Sequence, residues 1–355
     1  MIRQFVFWGG ISVVLLLLKV LGPIVWIETR CTADPVAQNY QPLIAESVFQ
    51  REEARTYLTY PEWHIVYAYQ EMGKLLETGD EHEFNYWQSI RGFWTSLCQL
   101  NQESDRHGGS ADMKSTVYTI GASFTLEMSI KALFEETLGR LTAWWRGEQK
   151  TPQDHVSAQM MKDYASFLHQ VPWYQYDFAV WVDQLWSAPV TDFIRSWERR
   201  LTLGTEWMAK IGYASLIGQA VESVGHDELT MRSVVSGLSA EQLATLDGVT
   251  VIGPLGRGHQ IESPRYQAFS NLVGQILDAG GSFDEIAGND DILITATGPA
   301  TTSLAANEAW KVIAQVRRQG FGDQRSLINA KVTQLAQLFG QLEAAGFAVE
   351  HLHDY

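Results

Sequence analysis

The residues best suited to proton transfer are concentrated in residues 59–71. His64, Tyr67 and Glu71 are spaced so that a helix places them on one face, and Glu62 lies two residues before the histidine. An imidazole beside a carboxylate can act as an acid–base pair or supply half of a metal site. The commoner alternative is a glutamate that caps a helix whose other face packs aromatic side chains.

Glu127 is the second candidate carboxylate. It lies in residues 116–134, an apolar or neutral run in which Lys131 is the other charged residue. Because a helix brings positions i and i+4 together, the spacing predicts a buried Glu127–Lys131 pair with a structural role. The functional alternative is a buried carboxyl with a raised pKa. A hydrolase-type site would then use His64 with Glu62 or Glu127.

Three other histidines lie in patterns that can bind ligands. His107 precedes Gly108 and Gly109, and such a loop can offer backbone N–H groups to an anion. His351 and His353 alternate on a predicted final strand and would supply two ligands of an incomplete metal site. The sequence contains no complete nucleotide-binding, metal-binding or nucleophile motif, so we predict no cofactor and no metal.

The composition excludes some functions and favours others. A net charge of -15 argues against a nucleic-acid partner, because phosphate recognition needs concentrated lysine and arginine. The 13 tryptophans lie at or before Trp207 except for Trp310. Tryptophan and tyrosine favour bilayer–water interfaces, although an aromatic-rich core is the alternative. The interfacial interpretation predicts a partly exposed surface formed by Trp173, Tyr174, Tyr176, Trp181 and Trp186.

Residues 5–27 form the most apolar segment of the chain, with Lys19 as the one charge. About 20 apolar residues suffice to span a bilayer, and no A-x-A-like cleavage pattern follows. The segment therefore predicts an uncleaved signal anchor in the inner membrane. Arg3 favours a cytoplasmic N-terminus, which would place the body of the protein in the periplasm. Two cysteines are too few for a disulfide framework, and whether Cys31 pairs with Cys98 stays open.

The remaining pattern predicts an α+β protein. We expect a transmembrane anchor in residues 1–28, a linker in residues 29–44, an α-helical region in residues 45–222 and an α+β domain in residues 223–355. Capping patterns predict helix starts near Thr59 and Thr151. From Val249 the predicted order is β-α-β-β-α-β, the ferredoxin-like arrangement, with an additional helix near residues 307–320 and a long helix over residues 324–345.

Three runs carry a family resemblance: residues 60–69 (YPEWHIVYAY), 118–140 (YTIGASFTLEMSIKALFEETLGR) and 285–295 (EIAGNDDILIT). They resemble an uncharacterised family of proteobacterial single-pass membrane proteins. This resemblance implies an envelope location and brings no reaction, cofactor or catalytic residue.

Two functions are consistent with these features. The first is a membrane-anchored envelope protein without catalytic activity, whose partners are the lipid bilayer and another envelope protein. The second is a membrane-bound hydrolase-type enzyme that uses His64. The second requires that His64 and Glu62 or Glu127 converge within hydrogen-bond reach in a concave site.

Overall fold

The computed structural model describes residues 18–37, 39–224, 229–302 and 304–355. The first part of the chain is helical. Helix α1 covers residues 18–30, and the helices that follow are α2 (Ala54–Leu75), α3 (Tyr86–Arg106), α4 (Ala111–Phe134), α5 (Arg140–Arg146), α6 (Pro152–Leu168), α7 (Phe178–Ser187) and α8 (Phe193–Val224). A π-helical turn, Glu135–Gly139, joins α4 to α5.

The predicted transmembrane anchor is corrected by the structure. None of the helices formed by the described residues is both long enough and apolar enough to cross a bilayer. Residues 5–17 of the predicted anchor lie outside the described residues. In α1, Ile27 is buried in the core of the helical region, and Lys19 Nζ lies 4.2 Å from the centre of the Trp87 ring. The description of the chain as a single-pass protein with a membrane-spanning signal anchor is therefore wrong for the structure described.

A disulfide holds α1 against the rest of the helical region. Cys31, directly after α1, is bonded to Cys98 of α3. Asn101 Nδ2 donates to the Cys31 carbonyl oxygen at 2.8 Å, and the backbone N–H of Ala33 donates to Asp105. The pairing of Cys31 with Cys98, which the sequence left open, is therefore present.

The C-terminal domain contains two four-stranded antiparallel sheets. Strands β1 (Thr230–Ser236), β2 (Thr250–Leu255), β3 (Gly258–Pro264) and β4 (Ser282–Ile286) form the first sheet, in the order β2-β3-β1-β4. Strands β5 (Asp291–Gly298), β6 (Trp310–Arg317), β7 (Gln324–Lys331) and β8 (Ala348–His353) form the second, in the order β6-β7-β5-β8. The helices of this domain are α9 (Ala240–Leu243), α10 (Tyr266–Asp278) and α11 (Leu335–Ala344).

The two sheets repeat one topology. In each, three strands precede a helix and a fourth strand, and the strand orders correspond position by position. The pairing irregularities also correspond: β1–β4 shifts register at Val234/Val235, and β5–β8 shifts at Thr295/Ala296. Both units contribute to one apolar core, which includes α10 and α11. The domain is thus a duplicated βββαβ unit.

The ferredoxin-like prediction is wrong because two predicted helices contain strands. Residues 310–317 form β6, and the predicted helix over residues 324–345 begins as β7 and becomes α-helical at Leu335. Seven of the eight β7 residues are buried, because Leu327 faces α2 while Ile328 faces the core of the domain. A strand buried on both faces loses the polar–apolar alternation that distinguishes it from a helix.

One of the two predicted helix starts is confirmed and the other is wrong. Thr151 caps α6 as predicted, with a reciprocal capping box to Asp154. The start predicted at Thr59 is wrong, because α2 begins at Ala54 and carries Pro61 within it. The longer α2 lies against the second sheet, where Tyr57, Tyr60 and Trp63 join a shared core with Leu293 and Leu327.

Candidate functional site

His64 is buried on the face of α2 that meets α3. Its Nε2–H donates to the Ser89 carbonyl oxygen at 2.9 Å, and its Nδ1 lies 3.4 Å from the Tyr60 hydroxyl. Burial has the largest effect on the pKa of His64 and lowers it to about 4; the Ser89 bond acts against this, and the charge of Arg325 adds to it. The imidazole is therefore neutral at pH 7 and satisfied by two partners.

Glu71 lies one turn beyond Tyr67 on the same face of α2, as the spacing predicted. Arg325 of β7 reaches Glu71 Oε1 at 3.3 Å and binds Glu350 of β8 on its other side. Its guanidinium carbon lies 3.6 Å from the centre of the Tyr67 ring. Burial raises the pKa of Glu71, and the charge of Arg325 offsets part of that effect. This buried ion cluster joins α2 to the second sheet.

His64, Tyr67, Glu71 and Arg325 line one small cleft. Its volume is about 20 Å³, which is enough for about one water molecule and not for an organic substrate. Glu62 lies on the exposed side of α2, because it is two residues from His64 on a helix. The convergence of His64 with Glu62 or Glu127 that a hydrolase requires is not present.

Glu127 is paired across two helices and not along its own. Lys210 Nζ of α8 lies 3.0 Å from Glu127 Oε1, and the Tyr69 hydroxyl donates to the same carboxylate. Lys131 instead binds Glu206 of α8 at 2.8 Å. The predicted Glu127–Lys131 pair is therefore wrong, because both side chains face α8 and find closer partners there.

The Glu127 carboxylate is half-buried rather than buried, with 32% of its side chain exposed. Burial raises the pKa of Glu127, but the charges of Lys210 and Lys131 outweigh it, so the pKa is lowered overall. A carboxyl held ionised in this way serves as a structural ion pair and does not act as a general acid at neutral pH.

His107 belongs to a third cluster, at the end of α3. Its Nδ1 lies 3.1 Å from Glu53 Oε1, and its Nε2 lies 3.2 Å from the Tyr57 hydroxyl. That hydroxyl donates to Asn329 Oδ1 at 3.0 Å. The order carboxylate, imidazole, hydroxyl resembles a nucleophile with its base. Tyr57 is fully buried, however, so its oxygen cannot reach a substrate.

His351 and His353 are both fully buried beneath α2. The His351 ring lies 3.5 Å from the Trp63 ring, centre to centre, and its Nδ1 is 2.9 Å from Ser270 Oγ. Within the described residues, the groups that bring three ligand atoms together contain neither histidine. Those groups are carboxylates that already have nitrogen partners. Glu53 contacts His107, and Asp290 and Asp291 bind Lys331, while Asp80, Glu81 and Asp154 bind Arg146 or Arg195.

A buried ion cluster joins α8 to the rest of the helical region. Arg195 binds Asp154 at 2.8 Å and Glu81 at 3.0 Å, while Arg199 contacts Glu81, Glu135 and Glu198. Both guanidinium groups are buried completely or nearly so. The sequence analysis did not single out these charged residues. Their signal is the spacing of Arg195 and Arg199, which puts two arginines one helical turn apart among apolar residues.

The outer surface of α8 carries apolar side chains, whereas its inner surface carries the charged ones. Between residues 193 and 215, every charged side chain is buried or partly buried, and the exposed side chains are uncharged. Charges face inward toward α4 and α5: Lys210 meets Glu127, Glu206 meets Lys131, and Arg199 meets Glu135. The exposed large apolar residues are Phe193, Ile194, Trp197, Leu201, Met208, Ile211 and Tyr213.

The neighbouring helix pair α4–α5, which packs against α8, also exposes apolar side chains. It runs antiparallel to α8, because residues 127, 131, 135 and 142 contact residues 210, 206, 199 and 195 in that order. Its exposed large apolar residues are Leu126, Ile130, Leu133, Leu138, Leu141, Trp144 and Trp145. Glu136 and Arg140 are the charged residues exposed within residues 126–145. We call this combined face of α4, α5 and α8 the outer apolar face.

The partly exposed aromatic surface predicted for residues 173–186 is wrong for two of its five residues. Tyr176 and Trp181 are buried in the helical core, and Trp173 and Tyr174 are half-buried. Trp186 is exposed as predicted, at 41%. The most exposed described tryptophans are instead Trp144 and Trp145, because α5 ends on the outer apolar face.

Comparison of the chain with protein-family models, curated proteins and solved structures finds no match.

Proposed function

We propose that this protein is a non-catalytic docking protein whose outer apolar face lies on the surface of a lipid bilayer. One observation carries the proposal: over residues 193–215 of α8 the charged side chains are buried or partly buried, while seven large apolar side chains are exposed. In water a helix at a protein surface does the opposite, because apolar area is stabilised by burial. Charges that face a neighbouring helix and apolar side chains that face outward are the arrangement favoured in lipid.

The composition of the face supports a lipid surface over a protein partner. Trp144 is 73% exposed and Trp145 61%, and the indole ring favours the headgroup region of a bilayer. An amphipathic helix can lie in that region with its apolar side inserted and does not need to cross the bilayer. Exposed apolar area of this extent marks a binding surface on a protein that otherwise buries a core.

The net charge favours zwitterionic over anionic lipids as the proposed partner. The chain carries a net charge of -15, so an anionic bilayer repels it and a zwitterionic bilayer does not. The Cys31–Cys98 disulfide supports an extracytoplasmic location such as the periplasm, because disulfides persist in oxidising compartments. An extracytoplasmic location is part of the proposal.

The test is co-sedimentation of the purified chain with phosphatidylcholine vesicles. A Trp144→Ser, Phe193→Ser, Leu201→Ser variant removes three exposed side chains from the face and should lose most of its binding. The matched control, Val48→Ser with Ile252→Ser, changes exposed apolar residues elsewhere and should bind as the parent does. If the parent stays in the supernatant, or if it forms a stable dimer that the triple variant abolishes, the face has a protein occupant and the proposal fails.

A further inference from the structure

The interface beneath the outer apolar face contains more negative than positive charge. The buried cluster between α8, α6 and the π-helical turn has five carboxylates: Asp80, Glu81, Glu135, Asp154 and Glu198. Three guanidinium groups face them, from Arg146, Arg195 and Arg199. If every carboxyl were ionised, two negative charges would be left unbalanced in a region of low polarity, which is costly.

Glu135 is the carboxyl of this cluster with the fewest hydrogen-bond donors. It accepts from Arg199 Nη2, at 2.9 Å to Oε1 and 3.2 Å to Oε2. Arg199 is shared with Glu81 and Glu198, which have other donors. Glu81 is bound by Arg195 and by the Ser157 hydroxyl, and Glu198 is bound by Arg195 and the Thr142 hydroxyl.

The titratable groups around Glu135 come from three elements. Arg199 and Glu198 face it from α8, Glu81 from the 3-10 turn Glu81–Glu83 before α3, and Tyr86 from the start of α3. Burial is the largest effect and raises the pKa of Glu135; Arg199 lowers it, Glu81 and Glu198 raise it further, and the result is about 7. Glu81 stays ionised, because two guanidinium groups lower its pKa to about 2 despite its burial.

The backbone at Glu135 is adapted to hold this carboxyl inside. Glu135 begins the π-helical turn, and Gly139 lies beneath its carboxylate. A Cβ at Gly139 would come within 2.1 Å of Glu135 Oε2, so glycine leaves the space that the carboxyl fills. A π-helical turn within a long helix is often found at a functional position.

We propose that Glu135 is a proton-binding residue that regulates the outer apolar face. With a proton from solvent on Glu135, one of the two excess charges is removed and α4–α5 packs firmly against α8. When the carboxyl ionises, Glu135 repels Glu81 and Glu198 across Arg199, and the helix pair loosens. This inference rests on the proposed docking function, because the two helices it controls carry the docking face.

The first measurement follows the proton on the folded chain. Infrared spectroscopy of the intact protein should show the carbonyl band of a protonated carboxylic acid that disappears with a midpoint near pH 7. The band should be missing from Glu135→Gln and unchanged in the control Glu136→Gln, which alters the exposed neighbouring carboxyl. A spectrum without such a band at any pH between 6 and 8 overturns the inference.

The second measurement follows the helix pair. Hydrogen exchange in residues 126–146 and 193–211, corrected for the intrinsic rate at each pH, should be several-fold faster at pH 8 than at pH 6.5. Glu135→Gln should remove this difference, and Glu136→Gln should keep it. Equal pH dependence in the two variants overturns the inference.

Vesicle binding then distinguishes the two proposals. If the chain binds vesicles equally at pH 6.5 and pH 8, the docking function stands and the regulation by Glu135 fails. If the infrared band and the exchange change as expected but no vesicle binding is found at either pH, the proton-binding residue stands and the lipid partner fails.

Discussion

Glu135 and Arg199 form an ion pair at 2.9 Å between two side chains that are both buried beneath the outer apolar face. Arg199 serves three carboxylates and is fully enclosed, so the cluster depends on this guanidinium more than on any one acid. The pair links the fold to the proposed function, because it determines how firmly α4–α5 and α8 present their apolar residues.

Arg199→Met should lower the free energy of unfolding by about 3–5 kcal/mol. Removing the guanidinium leaves Glu81, Glu135 and Glu198 without their shared partner, and breaking a buried ion pair from one side typically costs that much. Urea unfolding followed by circular dichroism measures the loss. Arg140→Met is the control, because Arg140 is exposed and surface changes usually stay within about 0.5 kcal/mol. A loss no larger than that of the control would mean that the cluster does not hold α8.

Acid should destabilise the junction between α2 and its surroundings. Burial lowers the pKa of His64 to about 4 and that of His353 to about 3, from an ordinary value of 6.5. Below pH 6.5 the unfolded chain binds protons that the folded chain does not, so stability falls as the pH falls toward 4. For His64 alone the loss amounts to about 3 kcal/mol by pH 4, at about 1.4 kcal/mol for each pKa unit.

The measurement is the free energy of unfolding of variants as a function of pH. Because Glu135 acts in the opposite direction over part of this range, we compare each variant with the parent at the same pH. His64→Gln can still donate to the Ser89 carbonyl and should reduce the slope between pH 6.5 and 4. Exposed His155→Gln should leave it unchanged. Identical slopes in both variants would contradict the assignment of His64 as a buried neutral imidazole.

The secondary structure of the C-terminal domain could be predicted where short apolar runs are rich in β-branched residues, which favour strands. Strands β2, β4, β5 and β8 and helix α10 were found as expected, and β5 carries Ile292, Ile294 and Thr295. β7 could not be recognised, since Ile328 is its one β-branched residue and burial on both faces removes the alternation of polar and apolar side chains. The short turn at Gly288 joins β4 to β5, yet the two strands belong to different sheets. Which sheet a strand enters depends on contacts between distant residues.

The candidate site was likewise predicted correctly only where it depends on residues close together in the sequence. The common face of His64, Tyr67 and Glu71 was correct, because it depends on helical spacing alone. Arg325, which completes their cluster, is more than 250 residues away from Glu71. Likewise, Lys131 was expected to bind Glu127 within the helix and instead binds Glu206, whose position depends on how α8 packs.

Reducing the Cys31–Cys98 disulfide should destabilise the chain by about 2–4 kcal/mol. The bond closes a loop between residues 67 positions apart and so restricts the unfolded chain. Urea unfolding with and without a reductant measures the effect. A Cys31→Ser, Cys98→Ser variant should match the reduced parent and show no response to the reductant. A parent that unfolds identically in both conditions would contradict a stabilising bond and weaken the case for an oxidising compartment.

The central claim is that the outer apolar face contacts lipid, and quenching of tryptophan fluorescence by brominated acyl chains tests it most directly. Vesicles of brominated phosphatidylcholine should quench the emission of the parent, because Trp144, Trp145 and Trp197 would lie near the acyl chains. Replacing these three residues by phenylalanine keeps the face apolar and should remove most of the quenching while binding persists. Bound protein that is quenched equally with and without the three tryptophans would contradict the account, because another surface would then face the lipid.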